Sequence, residues 1–161
     1  MSKDNKNKNT ISVLLVDDEK GYLNVLSNRL ARRSINATKV FSGTEAIQVL
    51  RKNDFDVVVL DLKMEDMDGI EVLDKAVALG TDAPIVMISG HGDVQTAVDC
   101  LKKGAYDYIA KPPDLNRLLS TVRNALDRKT LVVENKVLKK KISKNYDMVG
   151  RSASIAAVKD M

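Results

Sequence analysis

Four short apolar runs in this 161-residue chain each lead to a residue able to do chemistry. Ile11-Ser-Val-Leu-Leu-Val16 stops at Asp17-Asp18-Glu19, and Asp56-Val-Val-Val-Leu60 stops at Asp61. Pro84-Ile-Val-Met-Ile88 stops at Ser89, and Tyr106-Asp-Tyr-Ile109 leads through Ala110 to Lys111. If these ends meet, they deliver carboxylates, one hydroxyl and one ammonium to a single mouth. Like charges gathered at low dielectric are costly, so the carboxylates need a compensating cation. Lys111 supplies one. A hard divalent ion with oxygen ligands is the natural second, and Mg²⁺ suits a site that also holds phosphate. A carboxylate at a strand end can then attack phosphorus and form an acyl phosphate. Mg²⁺, Lys111, Ser89 and backbone N–H groups would neutralise charge on the transferring oxygens.

Each feature also has a plainer explanation. Asp17-Asp18-Glu19 reads equally well as a solvated helix start. Asp61 can cap a turn, Ser89-Gly90 is common turn chemistry, and Lys111 before two prolines can be an exposed lysine. Tyr108 can be an ordinary packed sheet residue. The plain account, however, needs independent coincidences at four strand ends. The single histidine, His91, has no second His or Cys beside it for a zinc site. Cys100 falls within a helix as a small buried residue.

The elements that must position these groups alternate along the chain. Strands are expected at 11–16, 35–41, 56–60, 84–88 and 106–109. Helices are expected over 20–33, 44–52, 69–79 and 93–103, with a last one beginning at Leu115. Ser42 or Thr44 can cap the second helix, Gly104 closes the fourth, and Asp114 can cap the last. Five strands alternating with helices through short loops read as an α/β, doubly wound five-stranded parallel sheet covered on both faces. Ligands in such sheets bind beyond the carboxyl ends of the strands, where these polar residues fall.

At those residues the chain resembles the receiver domains of two-component response regulators. The matching text is Val13-Leu-Leu-Val-Asp-Asp-Glu19, Val57-Val-Val-Leu-Asp-Leu-Lys-Met64 with Met67-Asp-Gly69, Ile88-Ser-Gly90, and Lys111-Pro112. Each fragment alone is weak, but all four occur in order over residues 11–128. The resemblance implies a flavodoxin-like strand order 2-1-3-4-5. It assigns Asp61 as acceptor of a phosphoryl group from a sensor histidine kinase. Asp18 would bind Mg²⁺ directly and Asp17 mainly through water, with Asp61 and the Lys63 backbone carbonyl completing the protein's share. Ser89 and Lys111 would hold the phosphoryl group, with Ser89 and Tyr108 as a coupled switch. The Lys111–Pro112 bond would be cis. The family often has proline and glycine where Glu65 and Asp66 stand here, so a more flexible loop is expected, with added negative charge near the metal.

Composition limits the remaining function classes. Residues 11–128 hold 15 Lys+Arg against 18 Asp+Glu, so the overall charge of +4 comes from the two ends. With 4% aromatics and no Trp, nucleic-acid binding by this segment is not expected. No apolar run approaches the roughly 20 residues needed to cross a bilayer, and Met1–Thr10 is polar. A cytoplasmic protein with no membrane association and a disordered tail at 1–10 is therefore expected.

The last helix is expected to run on, because no Pro or Gly interrupts Leu115–Lys144. Residues 129–145 would form an extended helical linker. Within it Leu131, Asn135, Leu138 and Ile142 alternate at 4- and 3-residue spacing, as the core of a two-stranded coil would. A homodimer through this helix is one reading, and a solvated linker carrying Lys139-Lys-Lys141 is the other. From Tyr146-Asp-Met-Val-Gly-Arg-Ser152 to Met161 the chain resembles the opening of an AAA+ ATPase domain in sigma-54-dependent activators. No Gly-x-x-x-x-Gly-Lys-[Ser/Thr] loop follows, so ATP hydrolysis by that machinery is not expected here. The expectation is a receiver and linker that stop just inside the next domain of a DNA-binding parent.

Two other functions compete with a phosphorylation switch that is not otherwise an enzyme. A haloacid-dehalogenase-type phosphatase also uses a strand-end Asp and Mg²⁺, but it needs a second Asp two residues on, where Lys63 stands. A pseudo-receiver serving only dimerisation would typically lack one of the acidic, hydroxyl or lysine groups that are all present here.

Overall fold

The computed structural model describes residues 10–90 and 94–131. The elements in chain order are β1 (Ile11–Val16), α1 (Lys20–Ala31), β2 (Ile35–Val40), α2 (Gly43–Lys52), β3 (Val57–Asp61), α3 (Gly69–Leu79), β4 (Ile85–Ser89), α4 (Val94–Lys102) and β5 (Asp107–Ala110). A fifth helix, α5, covers residues 115–131. The five strands form one parallel sheet in the order β2-β1-β3-β4-β5. This is the doubly wound order expected from the resemblance.

Alternate residues of a strand point to opposite faces, and here each set meets its own helices. Leu14, Val16, Val58, Leu60 and Met87 pack with Ala46 and Ile47 of α2, Val72, Leu73 and Ala76 of α3, and Cys100 of α4. Val13, Leu15, Val57, Val59, Val86 and Ile88 pack instead with Leu23, Leu26 and Leu30 of α1 and Leu118, Leu119 and Val122 of α5. Every residue of β3 and β4 is buried, because both faces of these strands are covered. That explains their unbroken apolar runs.

Local chemistry sets the helix ends. Ser42 Oγ accepts from Glu45 N at 3.1 Å at the start of α2, while Glu45 Oε1 accepts from Phe41 N at 3.1 Å. Ser42 is thus the cap of the two residues considered. Asp68 Oδ1 accepts from Glu71 N at 3.1 Å and caps α3, which ends at left-handed Gly80. Gly104, at φ +116°, turns the chain out of α4, with Ala105 N donating to Cys100 O at 3.0 Å. Asp114 Oδ1 accepts from Asn116 N at 3.3 Å near the start of α5.

Some boundaries differ from the expectation. Helix α1 stops at Ala31 rather than 33, because Arg33 N and Ser34 N fold back onto Leu30 O and Ala31 O to enter β2. Strand β3 starts one residue later, since the Asp56 side chain turns to accept from Ser12 N at 2.8 Å. It also extends to include Asp61, whose Cα pairs with that of Ile88. Among the described residues, no helix is long and apolar enough to cross a membrane.

Candidate functional site

Pairing in register brings the carboxyl ends of β1, β3, β4 and β5 to one level. A cavity opens there, lined by Asp18, Glu19, Asp61, Lys63, Ser89, Gly90 and Lys111. The sheet itself fixes the surrounding backbone. Asp17 N donates to Val40 O at 3.2 Å, Leu62 N to Ile88 O at 3.0 Å, and Lys111 N to Ser89 O at 2.9 Å. Each group singled out in the sequence therefore extends a strand whose position is already set.

Asp17, Asp61 and Ser89 are buried, at 3%, 7% and 3% exposure. Asp18 lies outside them and is exposed. Asp17 Oδ1 accepts from Glu19 N at 2.9 Å and Asp17 Oδ2 from Lys111 Nζ at 2.8 Å. Lys111 Nζ also donates to Glu19 Oε1 at 2.7 Å and stands 3.7 Å from Asp61 Oδ1. The Lys111–Pro112 bond is cis, as expected.

Burial raises the Asp61 carboxyl pKa to about 6, Asp17 adds to the rise, and Lys111 partly offsets it. Burial also opposes the charge of Lys111. Its bonds to Asp17 and Glu19 and its attraction to Asp17 and Asp61 outweigh that, so the ammonium is held above the usual lysine range. Asp17, Asp18, Glu19 and Asp61 thus face a single ammonium, and the site carries an excess of negative charge.

A cation fits the remaining deficit. Asp17, Asp18 and Asp61 each offer an oxygen, and these atoms lie within 4.8 Å of one another. An all-oxygen set with a buried carboxylate held against its charge suits Mg²⁺. Lys63 lines the same cavity.

Tyr108 reaches inward. Its ring packs against the α2–α3 face of the core, and its hydroxyl is buried without a hydrogen-bond partner among the described residues. Leu131 lies on α5 and is 60% exposed. Asn135, Leu138 and Ile142 lie outside the described residues, as do 1–9 and 146–161.

Three contributors were not assigned a role from the sequence. Glu19 holds the outer side of Lys111. Tyr22, in the first turn of α1, places its ring 4.6 Å from the same ammonium, with its hydroxyl buried and without a partner among the described residues. Burial raises the Tyr22 pKa, and nearby Lys111 works against that rise. Asp66 turns toward α2 and accepts from Gly43 N and Thr44 N, both at 3.0 Å, and from Thr44 Oγ1 at 2.8 Å. The Thr44 and Gly43 N–H groups hold its carboxyl below the usual range. The loop expected to be loose for want of proline is therefore tied to a helix N-terminus, where negative charge is favourable.

Gly69 closes this loop. Its N–H donates to Leu62 O at 2.6 Å, and a Cβ there would stand 2.4 Å from Asp61 O. Only glycine fits so near the backbone of Asp61.

The chain is a doubly wound parallel sheet carrying three carboxylates, a hydroxyl and a lysine at its switch-point mouth. The response regulator receiver domain model matches residues 13–123, and the chain belongs to that family. It is 35% identical over 129 residues to the C4-dicarboxylate transport transcriptional regulatory protein DctD of Rhizobium meliloti, covering 80% of this chain and 28% of that protein. It is 38% identical over 116 residues to the transcriptional regulatory protein ZraR of Salmonella typhimurium, covering 72% and 26%. Among solved structures, the Francisella response regulator 1452 receiver domain aligns with a TM-score of 0.71 at 28% identity, covering 74% of this chain and 98% of that one. The chain spans under a third of the length of these two curated relatives.

Proposed function

We propose that this receiver is a phosphorylation switch in which Asp61 accepts a phosphoryl group from a phosphohistidine of a sensor kinase. The observation that carries this reading is Asp61 itself. It is buried at the cavity floor, its pKa is raised to about 6, and a fixed ammonium stands 3.7 Å away with two further carboxylates alongside. An Asp61 carboxylate oxygen would attack phosphorus, forming a P–O bond as the P–N bond to the donor imidazole breaks. Lys111 would leave Glu19 to pair with the transferred oxygens, and Ser89 would hydrogen-bond them. Asp17, Asp18, Asp61 and the Lys63 carbonyl would hold Mg²⁺, which supplies charge neutralisation at the transferring oxygens. Water attack on phosphorus would later return inorganic phosphate and the Asp61 carboxylate.

Movement of Ser89 toward the phosphoryl group would be coupled to Tyr108, changing the surface of α4 and β5. In the parent protein this change would pass along α5 and the linker at 129–145 to an AAA+ domain beginning near residue 146. A homodimer through Leu131, Asn135, Leu138 and Ile142 fits that role, in a cytoplasmic activator working with sigma-54 polymerase. DNA contacts would belong to other parts of that protein.

The test is intact mass after incubation with Mg²⁺ and acetyl phosphate, with EDTA and Asp61→Asn as controls. Gain of one phosphoryl group, lost in both controls, is expected. A folded protein that gains none would leave a phosphorylation-independent dimerisation module as the better account.

A further inference from the structure

The segment between Asp61 and α3 carries more of the site than its sequence announces. It contains Lys63, whose carbonyl is assigned to the metal, and it reaches Asp18 directly through Glu65 N, which donates to Asp18 Oδ2 at 3.3 Å. Two of the expected metal donors, one in the loop and one hydrogen-bonded to it, therefore depend on where this loop sits.

Its inner end is fixed by Gly69 N donating to Leu62 O. Its outer end is fixed by the three hydrogen bonds from the α2 N-terminus to Asp66. The contact is close: a Cβ on Gly43 would meet Met67 Cβ at 2.8 Å, so the loop and α2 touch without room for a side chain between them. Helix α2 is itself capped at Ser42 and packed through Ala46 and Ile47 into the core, which makes it a rigid anchor.

We infer that Asp66 is a positioning residue for Mg²⁺ binding: by fastening the loop to the α2 N-terminus it presets the Lys63 carbonyl and the Asp18 carboxylate. The inference rests on the receiver reading of the site. Without the tether the loop must be ordered each time the ion binds, and the affinity falls by the fraction of time the loop spends out of place. Partners that orient metal ligands act at this level in other sites.

Isothermal titration of the 161-residue chain with Mg²⁺ tests this, using wild type, Asp66→Ala, Asp66→Asn and Thr44→Val. Asp66→Ala is expected to weaken binding about fivefold. Asp66→Asn keeps one acceptor oxygen for the two Thr44 donors and sets an NH2 group against Gly43 N, so a loss between wild type and Asp66→Ala is expected. Thr44→Val removes one of the three bonds and leaves the loop sequence intact, so a smaller loss in the same direction is expected, readable even if Asp66→Ala does not fold. Wild-type affinity in Asp66→Ala would overturn the inference. So would equal losses in Asp66→Ala and Asp66→Asn with no loss in Thr44→Val, which would make the effect one of charge. An absence of Mg²⁺ binding in wild type would overturn it together with the metal assignment. The inference is read from Mg²⁺ binding and the receiver chemistry from phosphoryl gain on Asp61, so the two failures are distinct.

Discussion

Replacing Asp61 with Asn is expected to stabilise the metal-free protein, although it removes the group at the centre of the site. The Asp61 carboxyl is 7% exposed, and burial first, then Asp17, raises its pKa from 3.8 to about 6. In the unfolded chain the same group titrates near its ordinary value of about 3.9. Between those two values the folded state binds more protons than the unfolded state. Stability therefore falls as pH rises through the window, and the loss is complete above about pH 6. Each tenfold in the proton equilibrium is worth about 1.4 kcal/mol, so the gap corresponds to roughly 3 kcal/mol at pH 7.5. Asn keeps the shape without the charge. It loses the 3.7 Å pairing with Lys111, but Lys111 retains Asp17 at 2.8 Å and Glu19 at 2.7 Å. A net gain of about 1.5–3 kcal/mol is expected. Urea unfolding in EDTA at pH 7.5 and pH 4 measures it, with the gain shrinking toward zero at the lower pH. Saturating Mg²⁺ is expected to narrow or reverse the difference, because binding to the folded wild type adds stability. A variant no more stable than wild type at pH 7.5, or a gain unchanged at pH 4, would refute the reasoning.

Four further outcomes follow from single contacts. Gly69→Ala is expected to cost about 2–4 kcal/mol in urea unfolding, because the new Cβ would lie 2.4 Å from Asp61 O and 2.8 Å from Leu62 Cα. Tyr22→Phe is expected to leave stability unchanged or slightly raised, since the buried hydroxyl has no partner among the described residues. Tyr22→Leu, which removes the ring 4.6 Å from the Lys111 ammonium, is expected to cost about 1 kcal/mol more than Tyr22→Phe in the same assay. Lys111→Met is expected to move the Asp61 carboxyl from about 6 to about 7 or above in a ¹³C NMR titration, since a charge at 3.7 Å is worth about 1 kcal/mol even at the dielectric of water.

The parts of the molecule that rest on periodicity were legible in the sequence. The apolar runs of β3 and β4 announce strands covered on both faces, and the polar residue after each run announces the mouth. Asp61, Ser89 and Lys111 line one cavity because parallel pairing in register leaves them no other place. Strand edges were less legible. Asp56 belongs by composition to β3, yet its carboxylate turns to Ser12 N. Side-chain contacts that loops and helices make away from the strand ends were not legible. Nothing in Glu65-Asp66 points to Thr44, and the loss of a proline is offset only once α2 is packed beside the loop. Tyr22 read as one apolar position of a helix. Its place beside Lys111 depends on how α1 crosses the sheet, which residue spacing does not encode.

The central claim, that Asp61 is the phosphoacceptor, is tested most directly by locating the modification. The chain is incubated with Mg²⁺ and acetyl phosphate, reduced with borohydride to convert an acyl phosphate to homoserine, and digested for peptide mass mapping. The account predicts homoserine at Asp61 alone, absent when EDTA is present. Homoserine at another carboxylate, or none in a protein that binds Mg²⁺ and is folded, would contradict it.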